Sequence, residues 1–152
     1  MHVVLFQPEI PWNTGNVGRT CVAAGATLHL IEPLGFSLSE RRLKRAGLDY
    51  WPRLQLLRHE SFEAFAASMG PAARLLAFAP RASADYWDAP YDDDTYLLFG
   101  RESTGLPAEI VARCAGVYRI PVGEGIRSLN LSTSVAIAVY EGLRRRRAIK
   151  AQ

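Results

Sequence analysis

The chain has 152 residues, enough for one globular domain with a sizeable core, and its 49% hydrophobic and 22% charged content excludes a disordered or fibrous protein. Eighteen basic against 15 acidic residues leave a formal net charge of only +3, and all the basic residues except Lys44 and Lys150 are arginine. Arginine suits bidentate phosphate contact, but an arginine-rich codon bias would give the same count, so charge alone does not define a partner.

Short apolar runs alternate with helical stretches along the chain. Val3–Phe6 reads as a buried strand closed by Pro8 and Pro11, and Asn13–Ala24 as a helix opening on NTGN. Leu28–Ile31 is a second strand. Ser39–Gly47 is a short basic helix with Ser39 as N-cap and Gly47 as stop. Leu54–Leu57 is a third strand, Ser61 caps a helix over Phe62–Met69, and Leu75–Ala79 follows as a strand. Tyr96–Gly100 is the clearest strand of all. After it come a polar loop, a helix from Pro107 through Cys114, a last strand Val117–Val122 and a long helix Leu131–Arg147. This alternation predicts an α/β protein with a parallel, Rossmann-like sheet and helices on both faces. The terminal helix is apolar beyond a single stripe, since Ile137 and Tyr140 lie off the one formed by Leu131, Val135, Ala138, Val139 and Leu143. A second subunit is a natural cover for such a helix.

Several classes are absent. No apolar run approaches the ~20 residues of a membrane helix, and MHVVLFQPEIPWN lacks the basic stretch and cleavage site of a secretory signal. Cys21 and Cys114 stand far apart without zinc-ligand spacing and read as buried thiols of a reducing compartment. A cytoplasmic location with no membrane contact and no metal is expected. There is no phosphate-binding G-x-x-x-x-G-K-[ST], no G-x-G-x-x-G after the first strand and no G-x-S-x-G elbow. His2, His29 and His59 are scattered in sequence, which favours separate structural or surface roles over catalysis.

Three polar clusters remain, each at a strand–helix junction, where α/β folds place ligands. The first is Asn13-Thr14-Gly15-Asn16-Val17-Gly18-Arg19. A helix start with amides and glycines suits an anion, though an ordinary cap with a surface arginine explains it as well. The second runs from Phe99 to Pro107, with Gly100 baring backbone at a strand end and Glu102 able to accept hydrogen bonds. A turn that merely needs glycines is the plainer alternative. The third, Ile120 to Ser132, carries Ser128 and Asn130 interleaved with leucines, more polar groups than one helix cap requires.

In combination and order, the segments PEIPWNTGNVGRTC, HLIEPLGF, RAGLDY, FGRESTGLP and IPVGEGIRSLNLSTSVAIAVYE resemble the SPOUT superfamily of knotted methyltransferases. The closest likeness is to its small TrmL-type tRNA 2′-O-methyltransferases, and it covers nearly the whole chain. The resemblance implies a deep C-terminal trefoil knot and a homodimer with active sites at the interface. It also implies a single domain over residues 1–152 with no separate RNA-binding extension. The implied cofactor is S-adenosylmethionine, leaving as S-adenosylhomocysteine, and the implied substrate is the anticodon stem-loop of tRNA. There the ribose 2′-hydroxyl of the wobble nucleotide, a cytidine or modified uridine, would be methylated. Alternatives within the fold are another RNA target or a catalytically silent RNA-binding protein.

Carried over by motif, the cofactor contacts are Phe78, Gly100, Leu106, Ile120, Ser128 and Leu129, and the catalytic group is Arg19, Asn13, Glu102, Ser128 and Asn130, with Asn16 beside it. Arg19 would fix the adjacent phosphate and the hydroxyl, with proton loss assisted by that phosphate or by a desolvated Arg19. RNA contacts are expected from Arg19 with Arg41, Arg42, Lys44 and Arg45, while Arg144–Arg147 reads equally well as a solvated helix face. Two positions depart from the pattern. Trp12 stands where proline is common, and Arg101 where a small residue or proline is usual.

Overall fold

The computed structural model describes residues 1–38 and 49–150, with side chains through residue 147. Its frame is a seven-stranded sheet in which every pairing is parallel. The strands are β1 (His2–Phe6), β2 (Thr27–Ile31), β3 (Leu56–His59), β4 (Arg74–Phe78), β5 (Ala84–Asp85), β6 (Thr95–Phe99) and β7 (Gly116–Arg119), in the spatial order β3-β2-β1-β6-β4-β7-β5. The middle strands are the most continuously buried: β6, TYLLF, is buried throughout, and β1, HVVLF, at four of five positions. Such unbroken runs belong to parallel strands covered on both faces.

Alternate side chains feed two layers. Val3, Leu5, Leu28, Leu30, Leu76 and Leu97 pack against α1 (Pro11–Ala24) and α4 (Leu131–Lys150) through Val17, Cys21, Val135, Ala138 and Val139. On the other face Val4, Phe6, Ile31, Leu75 and Leu98 meet Phe62 and Phe65 of α2 (Phe62–Ser68) and Ile110 of α3 (Ala108–Val111). The expected parallel α/β sheet with helices on both faces is the observed one. Burial of Cys21 pushes its thiol up to about 12, and the half-buried Cys114 rises to about 11 for the same reason, so both stay protonated thiols near neutrality.

Where elements differ from expectation, a local cause is visible. Helix α1 opens at Pro11 rather than Asn13, because proline has no N–H to orphan and a pre-set φ at the first helical position. The NTGN run therefore lies inside the helix, where the Thr14 N–H donates to Ile10 O at 3.3 Å. Strand β3 starts at Leu56, two residues late, because a 3₁₀ turn over Trp51–Arg53 claims Leu54 N–H. Helix α3 stops at Val111 instead of Cys114, since Ala115 N–H must reach Leu75 O at 2.8 Å to begin β7. Strand β7 ends at Arg119 instead of Val122, because Pro121 offers no N–H and the neighbouring β5 is two residues long. The Ser61 side chain caps α2 as expected, accepting from Ala64 N–H at 3.1 Å. The expected helix over Ser39–Gly47, with Arg41, Arg42, Lys44 and Arg45, lies outside the described residues.

The three histidines, far apart in sequence, stand on adjacent strands and form one chain. His2 Nδ1 lies 3.0 Å from His29 Nε2, and His29 Nδ1 lies 3.0 Å from His59 Nε2. Tyr96 stacks on His2 at 4.1 Å, and the edge of Phe65 meets His29 and His59. Neutral imidazoles satisfy both contacts head to tail, each giving one donor and one acceptor. Burial, followed by the charges of His2 and His59, brings the pKa of His29 down to about 3, and burial lowers His2 and His59 as well.

In the unfolded chain these rings titrate near 6.5, so on acidification the unfolded state takes up protons first. The stabilisation is complete above about pH 6.5 and is lost as pH falls toward the folded-state value. Urea unfolding should therefore show roughly 2–4 kcal/mol less stability at pH 4 than at pH 7 attributable to His29. His29→Leu should flatten that difference, and an unchanged pH dependence in the variant would contradict the role given to the chain.

Candidate active site

Strand order reverses at β1: β2 and β3 lie to one side, and β6, β4 and β7 to the other. The connections that leave the carboxyl ends of β1, β6, β4 and β7 converge there, at the position where open α/β sheets bind ligands. They enclose a cleft of about 740 Å³. Phe78, Gly100, Leu106, Ile120, Ser128 and Leu129, expected from the sequence to contact a cofactor, all line it, together with Asn13, Glu102 and Asn130. The early end of β7 thus has a consequence: Ile120 and Val122, freed from the sheet, become cleft walls.

The connection after β6 folds back on itself. Arg101 N–H donates to Gly105 O at 3.1 Å and Gly105 N–H to Arg101 O at 2.9 Å, closing a tight loop. Gly100 sits against that closure, where a Cβ would lie 2.2 Å from the Gly105 carbonyl carbon and 2.5 Å from Leu106 N. No rearrangement of a side chain relieves a clash with backbone. Gly105 is glycine for another reason, its φ of +72°.

Glu102, at the tip of this loop, ties it to the start of α1. Its carboxylate accepts from Glu9 N–H at 2.8 Å, Ile10 N–H at 3.2 Å and the Asn13 side-chain amide at 3.1 Å. The exchange is reciprocal, because Glu9 accepts from Ser103 N–H at 2.9 Å and from the Ser103 hydroxyl at 2.8 Å. These bonds from Ser103 hold the Glu9 carboxyl below the usual carboxylate range. Asn13 extends the network, as its Oδ1 accepts from Asn130 Nδ2 at 3.0 Å. Asn130 in turn caps α4, accepting from Ser132 N–H at 2.9 Å and the Ser132 hydroxyl at 2.8 Å. Of the two capping candidates in S-L-N-L-S, Asn130 takes the role, and Ser128 is left exposed at the cleft.

Arg19 is not brought to this cleft within its own chain. It lies on the exposed side of α1, with its guanidinium 4.9 Å from the centre of the Tyr50 ring. Tyr50 is buried, and its hydroxyl donates to Gly15 O. Asn16 shares the exposed side of α1, as does Trp12, which is 74% exposed. Arg101 lies at the cleft, its guanidinium 5.4 Å from the centre of the Phe6 ring and bonded to Gln7 Oε1. Sequence reasoning did not single out Glu9, Arg81 or Arg127. Glu9 lies within the PEIP segment, two positions before Pro11, which was the available signal. Arg127 likewise lies within the third polar cluster, whereas Arg81 has no such signal, because only the fold carries it to the cleft.

A mostly apolar slot floored by bare backbone, with a few fixed polar groups at one end, suits a small organic cofactor rather than a macromolecular groove. Sheet and cleft together define an α/β enzyme that binds its ligand at the switch point of a parallel sheet. The sequence pattern of the SpoU rRNA Methylase family matches residues 1–140, and the chain belongs to that family. A Burkholderia pseudomallei (strain 1106a) protein, described as a tRNA (cytidine(34)-2′-O)-methyltransferase, is 46% identical over 146 residues, covering 94% of each chain. A solved structure described as "Structural insights into the 2-OH methylation of C/U34 on tRNA" superposes with a TM-score of 0.90 at 49% identity, covering 99% of this chain and 97% of that one. An AdoMet-bound rRNA methyltransferase from Sinorhizobium meliloti superposes at 0.84 with 28% identity, covering 95% of this chain and 56% of its own.

The two glycines of the loop should differ in their tolerance. Gly105→Ala, with open space around it but a left-handed backbone, should cost about 1 kcal/mol in thermal unfolding. Gly100→Ala, which forces backbone against backbone, should cost several times as much. Equal effects would show that the loop relaxes freely and is not held as described.

Proposed function

We propose that this chain is a tRNA 2′-O-methyltransferase, acting with S-adenosylmethionine on the ribose of the wobble nucleotide, cytidine or uridine 34. The observation that carries the reading is the cleft itself, in which residues expected to hold the cofactor lie together beside the locked trio Glu102, Asn13 and Asn130. The Burkholderia relative and the C/U34 structure, at 46% and 49% identity over nearly full length, favour tRNA over the ribosomal RNA of the family's description.

The cleft fits the cofactor. Phe78, Leu106, Ile120 and Leu129 provide apolar walls for its adenosine and aliphatic parts, and the bare backbone at Gly100 admits close approach where a Cβ would close the space. When bound, S-adenosylmethionine supplies a methyl group on a sulfonium, an electrophile that needs orientation more than activation. Ser128, whose hydroxyl is exposed at the cleft, orients cofactor or ribose. Asn130 is fixed by its cap and its bond to Asn13, which keeps the cleft wall from moving.

The guanidinium of Arg19 binds the phosphate beside the target ribose and orients the 2′-hydroxyl, whose proton passes to that phosphate as the oxygen takes the methyl group and the sulfonium leaves as a neutral thioether. Because Arg19 does not line its own cleft, we assign it to the cleft of a second subunit in a homodimer. The 53% exposed Tyr140 on α4, a large ring left facing outward, favours such pairing. Threading of the segment after β6 into a trefoil knot completes the proposed architecture, supported by membership of the SpoU family and the likeness to the C/U34 and Sinorhizobium structures. Among the described residues no helix is long and apolar enough to cross a membrane, and action on tRNA assigns the protein to the cytoplasm.

Labelled S-adenosylmethionine incubated with the protein and total small RNA should place 2′-O-methyl groups at the wobble nucleotide, read by mass spectrometry. Methylation of ribosomal RNA alone, or none with cofactor bound, would contradict the reading. Subunits carrying Arg19→Ala and subunits carrying Leu129→Trp, inactive as separate homodimers, should on unfolding and refolding in equal mixture recover roughly a quarter of wild-type activity, since about half of all dimers are then mixed and each mixed dimer carries one intact site of two. No recovery would place Arg19 in its own subunit's site.

A further inference from the structure

The described arginines differ in whether a carboxylate pairs them. Arg58, Arg74, Arg113, Arg119, Arg144, Arg145 and Arg146 each pair with a carboxylate. Among the described residues, Arg19, Arg53, Arg81, Arg101, Arg127 and Arg147 make no ion pair, and three of these six, Arg81, Arg101 and Arg127, line the cleft. Among the described residues the only acidic one lining it is Glu102, whose carboxylate is already engaged by three N–H donors. Glu9 is near enough to feel the charge of Arg101, but its oxygens are occupied by Ser103. Arg101 is held by the Phe6 ring and the Gln7 side-chain oxygen, two neutral partners that orient a guanidinium without cancelling its charge. The rim is thus cationic by construction, in a cleft whose walls focus its field.

We propose that Arg81, Arg101 and Arg127 form a phosphate-binding rim that grips the RNA backbone on either side of the target nucleotide, with Arg101 as its fixed member. This rests on reading the chain as an RNA methyltransferase. The cofactor is not the reason for such a rim. S-adenosylmethionine carries a sulfonium and an ammonium against one carboxylate, so three uncompensated guanidinium groups oppose it on balance. A polyanion, with a charge on every nucleotide, matches them. The rim also gives the small net charge of +3 a function by concentrating unpaired cations where the ribose must enter.

The test is the salt dependence of tRNA binding to the full-length protein, measured by fluorescence anisotropy between about 50 and 200 mM salt. Arg81→Gln and Arg127→Gln change exposed side chains, and each should lower the slope of log K against log salt by roughly 0.7 to 1. The two together should lower it by roughly twice that. Arg101→Lys, which keeps the charge, should leave the slope unchanged, and Arg101→Gln should lower it like the others. Cofactor affinity, measured by calorimetry, should stay within about twofold or rise. Unchanged slopes in the glutamine variants, with the wild type bound normally, would overturn the rim alone. A loss of cofactor affinity without change in tRNA binding would also overturn it and assign the arginines to the cofactor carboxylate. A wild-type protein that bound no tRNA would overturn both this inference and the function on which it rests.

Discussion

The carboxylate of Glu102 is the point through which the loops of the cleft are joined. It gathers N–H groups from Glu9, Ile10 and Asn13, residues about ninety positions away in the chain, and Asn13 passes the constraint to Asn130, 117 positions further on. Hydrogen bonds to an ionised acceptor are each worth about 1.5–3 kcal/mol, so this one side chain can offset much of the entropy cost of ordering the loops around it. The cleft is the space left between connections held in this way. Without the network, the hairpin-like turn after β6 and the long run from Ile120 to Leu129 would share a sheet edge but no common geometry.

The sheet and the network divide the work. The parallel strands bring four carboxyl ends side by side, which is a consequence of apolar burial on both faces and is indifferent to chemistry. The polar residues then act only at those ends. Gly100 removes a side chain where backbone must pass backbone, Asn130 both caps α4 and faces Asn13, and Ile120 leaves β7 to become a wall. A single substitution at any of these positions changes the cleft while leaving the two hydrophobic layers intact. Seven of the described arginines are paired with carboxylates, and three of the six that are not stand at the cleft.

Much of the fold was legible because burial leaves local marks. Unbroken apolar runs announced β1 and β6, and Ser61 announced the start of α2. The three polar clusters were visible as departures from that pattern at strand ends, and together they matched a family by order and spacing. The rest was hidden because it depends on which strands are neighbours. His2, His29 and His59 are 27 and 30 residues apart and carry no common spacing, yet parallel register puts them in line. The start of α1 was misplaced because Pro11, taken as the end of a strand, is the first residue of the helix. Arg81 and Arg127 belong to loops after different strands, and their convergence follows from sheet order alone.

If Glu102, Asn13 and Asn130 lock the cleft as a unit, Glu102 and Asn130 must be coupled although they share no hydrogen bond. A double-mutant cycle with Glu102→Gln and Asn130→Ala, read as S-adenosylmethionine affinity by calorimetry, measures that coupling directly. The double variant should lose clearly less than the two single losses combined, by about 1 kcal/mol or more, roughly fivefold in affinity. Independent, additive losses would contradict that coupling and reduce the network to two separate local contacts.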